Sequence, residues 1–192
     1  MSAVNVLIVG VGGQGTLLAS RLLGNVAMEN DFDVKVSEVH GMSQRGGSVV
    51  TYVRYGEGLY SPIIEEGQAD YIVAFELLEA LRYVHYLKPE GKVIVNAQEI
   101  KPMPVIIGAA QYPEDALGKL KAKCSNVIAV DALEMAKKCG SDRAVNTVLM
   151  GVLAKELAFS KEQWHGAMEQ VAPQKFLALN LEAFDSGMQV AG

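Results

Sequence analysis

Cysteine is scarce in this chain. Of 192 residues only Cys124 and Cys139 carry a thiol, and they stand outside any C-x-x-C spacing. Neither a zinc site nor an iron–sulfur cluster is assembled from such a pair, so both read as reduced thiols packed like small apolar residues. Histidine is equally sparse: His40, His85 and His165 are too scattered to form a metal-ligand set. Positive charge is short as well, with a net charge of −5 and no run of Lys and Arg interleaved with aromatics. That excludes the electrostatic footprint of a nucleic-acid binder. No apolar run approaches the roughly 18 residues of a membrane span, and no basic segment precedes the first one. The protein is expected to be cytoplasmic, with neither nucleic acid nor membrane as a partner.

What is present is apolar: half of the residues are hydrophobic and a fifth are charged. The length suits one α/β folding unit over residues 1–192 with a sizeable core, and surplus apolar surface suits a partner chain. Val4 to Val9 is a strand followed by Gly10-Val11-Gly12-Gly13-Gln14-Gly15 and a helical segment from Thr16 to Met28. Asp33 to Glu38 reads as a second strand and Ser48 to Tyr55, rich in β-branched and aromatic residues, as a third. Too few residues separate these two for a parallel crossover of about a dozen, so they pair antiparallel or as a hairpin. Strands at Tyr71–Phe75, Lys92–Asn96 and Asn126–Val130 then alternate with helices at Glu76–Leu87, Asp115–Lys123 and Leu133–Cys139, which implies parallel pairing. Pro102 to Gly108 reads as a further short strand. Arg143–Phe159, Lys161–Val171 and Gln174–Phe184 are helical by periodicity, with Ser160 as an N-cap. The expected architecture is a Rossmann-like three-layer α/β domain with a mostly parallel sheet, a hairpin-like insertion after the second strand and a helical C-terminal end.

Strand, glycine turn and helix in that order begin a nucleotide-binding βαβ unit, and Gly10, Gly12 and Gly15 match G-x-G-x-x-G. Two readings stand: backbone N–H groups facing an anion, or glycines that only let the helix approach the sheet closely. Gln14, a polar amide in the first turn, fits a hydrogen bond to a ligand or to a neighbouring loop. A dinucleotide site would take Glu38, or less well Asp33, for the ribose. Glu38 lies late for that role and runs straight into a second glycine-rich loop, His40-Gly41-Met42-Ser43-Gln44-Arg45-Gly46-Gly47. Arg45 beside two glycines suits a phosphate or carboxylate, or a salt bridge to Glu38 or Glu76 that holds the loop.

The pair of loops, Val9 to Gly15 with Ser43 to Ser48, resembles the gamma subunit or domain of the 2-oxoacid:ferredoxin oxidoreductases. The wording from Glu38 to Gly47 is most similar to the small (beta) subunit of the indolepyruvate enzymes; pyruvate-type domains usually carry an acidic or similar residue where Gln44 stands. The likeness continues through Ala69 to Glu76, Asn146 to Gly151 and Asn180 to Gly187.

The resemblance implies oxidative decarboxylation of a 2-oxoacid such as indolepyruvate by thiamine diphosphate, with electrons leaving through iron–sulfur clusters to ferredoxin and the acyl group passing to coenzyme A. This chain would hold none of those groups alone. Thiamine diphosphate, magnesium and clusters fall to a catalytic partner subunit, ferredoxin is reached through the complex, and a homodimer is the state considered in isolation. Candidate cofactor-binding residues are Gly10, Gly12, Gly13, Gln14, Gly15, Ser43, Gln44, Arg45, Gly46 and Gly47. They suit either the phosphates of coenzyme A or docking of the partner. No catalytic residue or metal ligand is assigned, and the alternatives are a free-standing NAD-dependent oxidoreductase and a ligand-free scaffold. Of the rest, His40 reads as a loop anchor, Met135, Met150 and Met168 as packing, Trp164 as a helix-interface anchor, and Glu76 with Glu79 as a solvated helix start.

Overall fold

The computed structural model describes residues 3–41 and 46–191. Six strands, β1 (Val4–Val11), β2 (Asp33–His40), β3 (Ser48–Gly56), β4 (Ala69–Ala74), β5 (Leu87–Asn96) and β6 (Val127–Val130), form one sheet in the order β2-β3-β1-β4-β5-β6. Only β3 runs against its neighbours; β1, β4, β5 and β6 pair in parallel. The hairpin-like insertion is therefore real: β3 lies antiparallel between β1 and β2 and pushes β2 to the edge. The inner stretches of the central strands, Val6–Val9 of β1, Ile72–Ala74 of β4 and Val93–Val95 of β5, are apolar, as burial on both faces requires. In β1, Val6 and Ile8 point into one core, and Leu7 and Val9 into the other.

The first core is covered by α1 (Thr16–Met28), α5 (Ala132–Lys138), α6 (Val145–Ala154), α7 (Lys161–Val171) and α8 (Leu177–Met188), the second by α2 (Leu77–Tyr83) and α4 (Ala116–Lys123). Three layers result. In α1 the buried residues Ala19, Leu22, Leu23, Val26 and Ala27 recur at helical spacing and make one stripe. Every residue of α6 is buried. It crosses α8 where Gly151 meets Gly187, so closely that a Cβ on either would lie 2.0 Å from a carbonyl oxygen of the other helix. Ser160 and Gln163 form a capping box at the start of α7. Trp164 anchors that helix in the core at 0% exposure.

Four expectations are corrected. Pro102–Gly108 is no strand: it holds the short helix α3 (Met103–Ile106), with Val105 and Ile106 N–H donating to Pro102 O. Pro102 and Pro104 have no N–H for a ladder and fix φ near helical values, which outweighs the β-branched residues beside them. Glu76 and Glu79 are not solvated either, at 0% and 4% exposure. The segment after β5 folds over the start of α2 and bonds Glu76, while Ser48 of β3 meets Glu79, both tertiary events without local signal. The helix expected to Phe159 stops at Ala154, and that expected from Glu76 to Leu87 ends as a 3-10 turn at Val84–Tyr86. No helix among the described residues is long and apolar enough to cross a membrane.

Candidate functional site

Helix α1 follows β1 on one face of the sheet and α2 follows β4 on the other. The crevice between β1 and β4 at their carboxyl ends is thus a topological switch point, where ligands of open α/β sheets bind. The first glycine turn fills it. Gly13 and Gly15 adopt φ of +100° and +86°, the left-handed region glycine tolerates. Gly10 serves close approach instead: a Cβ there would sit 2.9 Å from Gln14 Oε1 and 3.2 Å from Phe75 Cβ.

The turn is zipped to the second loop by backbone. Gly12 N–H donates to Gly47 O at 2.8 Å, and Gly46 N–H to Gly12 O at 3.3 Å, extending the β1–β3 ladder past Val11. Gln14 takes the second of its two expected roles. Its Oε1 accepts from Val11 N–H at 2.7 Å and its Nε2 donates to Phe75 O at 3.1 Å, latching the turn to the loop after β4. Ser43, Gln44 and Arg45 lie outside the described residues. His40 is exposed, with Nδ1 3.1 Å from Gly41 O.

Two cavities flank this edge. On the α1 side, about 410 Å³ is bounded by Gly12, Gly13, Gly15, Thr16, Glu38 and His40. In the first turn of α1, Leu18 N–H already donates to Gly15 O at 3.1 Å, while nothing lies within 4 Å of where a Gly13 Cβ would be. Glu38 shares the mouth, accepting from Thr51 Oγ1 at 3.2 Å and Thr16 Oγ1 at 3.4 Å. On the α2 side, about 510 Å³ lies between Gly46, Gly47 and Ser48 and the helix α3. Glu79 faces it, accepting from Ser48 Oγ and lying 3.3 Å from Arg82 Nε. Burial raises its carboxyl pKa, against the lowering effect of Ser48 and Arg82. Behind it, Glu76 caps α2 through Glu79 N–H at 2.8 Å and accepts from Tyr112 Oη and Ile100 N–H.

Sequence reading missed Asn146. Its Nδ2 donates to Gly15 O at 3.2 Å and fixes the turn from α6, while Thr147 Oγ1 carries the polar chain on to Asn180 Oδ1 at 2.8 Å. The adjacent polar pair Asn146-Thr147 at the start of an otherwise apolar helix was the available signal. Cys124 and Cys139 pack on opposite faces of the sheet. Among the described residues no group of three His, Cys, Asp or Glu is placed to hold a metal.

Fold and site together define a Rossmann-like α/β protein whose glycine turn is braced by a second glycine loop. The chain belongs to the pyruvate ferredoxin/flavodoxin oxidoreductase family, whose model matches residues 5–190, and is a gamma-type member of the 2-oxoacid:ferredoxin oxidoreductases, as its two loops implied. It is 42% identical over 196 aligned residues to the indolepyruvate oxidoreductase subunit IorB of Thermococcus kodakarensis, covering 100% of this chain and 97% of that protein. In fold it matches the keto/oxoacid ferredoxin oxidoreductase gamma subunit of Geobacter sulfurreducens, with a TM-score of 0.70 at 23% identity, covering 97% and 96% of the two chains. It also matches 31% of the longer 2-oxoglutarate:ferredoxin oxidoreductase chain of Magnetococcus marinus, over 98% of its own length, with a TM-score of 0.67 at 20% identity.

Proposed function

We propose that this chain is the small subunit of an indolepyruvate-class 2-oxoacid:ferredoxin oxidoreductase and works only in complex. Its partner holds thiamine diphosphate, magnesium and the iron–sulfur clusters that pass electrons to ferredoxin. The end-to-end identity to the Thermococcus subunit carries this reading. The two cysteines, split between opposite faces, support it by offering no shared cluster site. Co-expression with the thiamine-binding subunit tests it: indolepyruvate-dependent, coenzyme A-dependent reduction of ferredoxin is expected from the pair and from neither chain alone. Activity of this chain by itself, or none from the pair with any 2-oxoacid, refutes it.

Within the complex, the glycine edge is proposed to meet the phosphates of coenzyme A. The groups proposed to face them are Gly13 and the N–H groups of Thr16 and Leu17 at the start of α1, the helix end that favours an anion. Gly10, Gly12, Gln14, Gly15, Gly46 and Gly47 hold that turn in place, and Ser43, Gln44 and Arg45 complete the loop, with Arg45 supplying charge. Glu38, which accepts from Thr16 Oγ1 at 3.4 Å, places a carboxylate at the same mouth, and a phosphate there would have to sit clear of it. A second reading, docking of the catalytic subunit on the same edge, is favoured by Met103, Ile106 and Ile107, all exposed on or beside α3. Arg45→Ala in the assembled complex separates them. Weaker coenzyme A binding by titration with assembly intact supports the ligand role, loss of assembly supports docking, and unchanged affinity removes Arg45 from the site.

A further inference from the structure

At the opposite edge of the sheet from the glycine turns lies a cavity of about 480 Å³, formed where β1 and β4 begin and β3 ends and closed by the segment after α6. Its walls are aromatic. Tyr55 and Phe159 have ring centroids 5.4 Å apart, Phe32 and Tyr55 5.7 Å, and Phe32 and Phe159 6.1 Å, tilted or edge-on to one another. Such a trio presents both electron-rich faces and electropositive edges, so a further flat ring finds a favourable packing partner in either orientation.

The polar groups of the cavity are mostly spent. Tyr71 donates its hydroxyl to Glu156 O at 3.1 Å. Asp70 accepts from Lys88 Nζ at 2.5 Å and from Asn5 N–H at 2.8 Å. Asn30 donates to Val26 O and accepts from Gln163. Glu156 binds Lys92 Nζ through Oε2 at 2.6 Å, leaving Oε1 without a donor among the described residues. The Tyr55 hydroxyl stands out: the residue is 3% exposed, lines the cavity, and has no hydrogen-bond partner among the described residues. The hydroxyl is not sealed from solvent, since among the described residues Trp164 Nε1 is the buried side-chain polar atom left without a partner; a donor entering the cavity would take the place of water on it, for the modest net worth of one hydrogen bond. Both carboxylates are already neutralised by lysines, so the missing donor need not be cationic.

We propose that this cavity binds a flat, neutral aromatic molecule bearing an N–H or O–H donor, its ring packed among Phe32, Tyr55 and Phe159 and its donor on the Tyr55 hydroxyl oxygen, with Glu156 Oε1 as a second acceptor. The site is separate from the glycine edge and independent of the function proposed for it. Titrating the full chain with indole, and with indene as a probe of the same shape lacking the donor, tests this by calorimetry or ligand-observed NMR. Indole is expected to bind saturably and about five-fold more tightly than indene, the worth of one hydrogen bond. Tyr55→Phe should remove that difference while leaving indene unchanged, and Ala158→Trp, which fills the mouth, should abolish binding of both. Absence of saturable indole binding, equal affinities in the unmodified chain, or binding unaffected by Ala158→Trp would overturn the proposal.

Discussion

The crossing of α6 and α8 at Gly151 and Gly187 makes a sharp test of how this fold is held. In Gly151→Ala the new methyl would stand 2.0 Å from Phe184 O, 2.9 Å from its carbonyl carbon and 3.1 Å from Gly187 Cα. These are backbone atoms and cannot rotate away. Restoring ordinary contact at 3.4 Å or more means separating two helices by over an ångström, although α6 buries Val148, Leu149, Val152 and Leu153 all but completely. Overpacking of a close-packed core costs about 1–3 kcal/mol and at times more, and an immovable backbone clash belongs at or above the upper end. Alanine returns roughly 1 kcal/mol through its higher helix propensity. The net expectation is a loss of about 2–3 kcal/mol, or about 4–12 °C in Tm for a chain of this size. Gly166→Ala in α7 is the control, because nothing lies within 4 Å of its added methyl. It should stabilise by up to about 1 kcal/mol. Urea unfolding followed by circular dichroism reads both. If the two substitutions moved the midpoint in the same direction, the close-crossing argument would fail.

Three further outcomes follow from the site. Gln14→Leu leaves Val11 N–H without its acceptor and unlatches the turn from the Phe75 carbonyl after β4, so a loss of about 2 kcal/mol is expected in the same unfolding assay; unchanged stability would show the latch to be idle. Asn146→Ala removes the donor to Gly15 O, and about 1–2 kcal/mol of destabilisation should appear together with faster amide exchange at the start of α1; protection equal to the parent's would refute that support. Glu79 tests pH dependence. Because burial raises its folded pKa above the ordinary carboxylate value, the native state binds more protons, and stability contributed by this group falls as pH rises from about 4.5 through the folded value. Glu79→Gln keeps an acceptor for Ser48 and should flatten that slope in urea midpoints measured across the window; an unchanged slope would place the titration elsewhere.

Much of the architecture was legible from local pattern. The apolar run of β1, the glycine turn and the stripe of α1 announced themselves, and the short gap between β2 and β3 forbade a parallel crossover. The family was legible because two loops far apart in the chain carry it jointly. Tertiary packing decided the rest. Gln14 showed a polar amide in a first turn, but only the approach of Phe75, just past the end of β4, determined that this amide braces the turn instead of facing outward. Glu76 and Glu79 had the signature of a solvated helix start, but a segment folding back from beyond β5 bonds Glu76 and the start of β3 meets Glu79. Periodicity records which face of an element is apolar, whereas the bonds of a polar side chain depend on what long-range topology brings within about 3 Å of it.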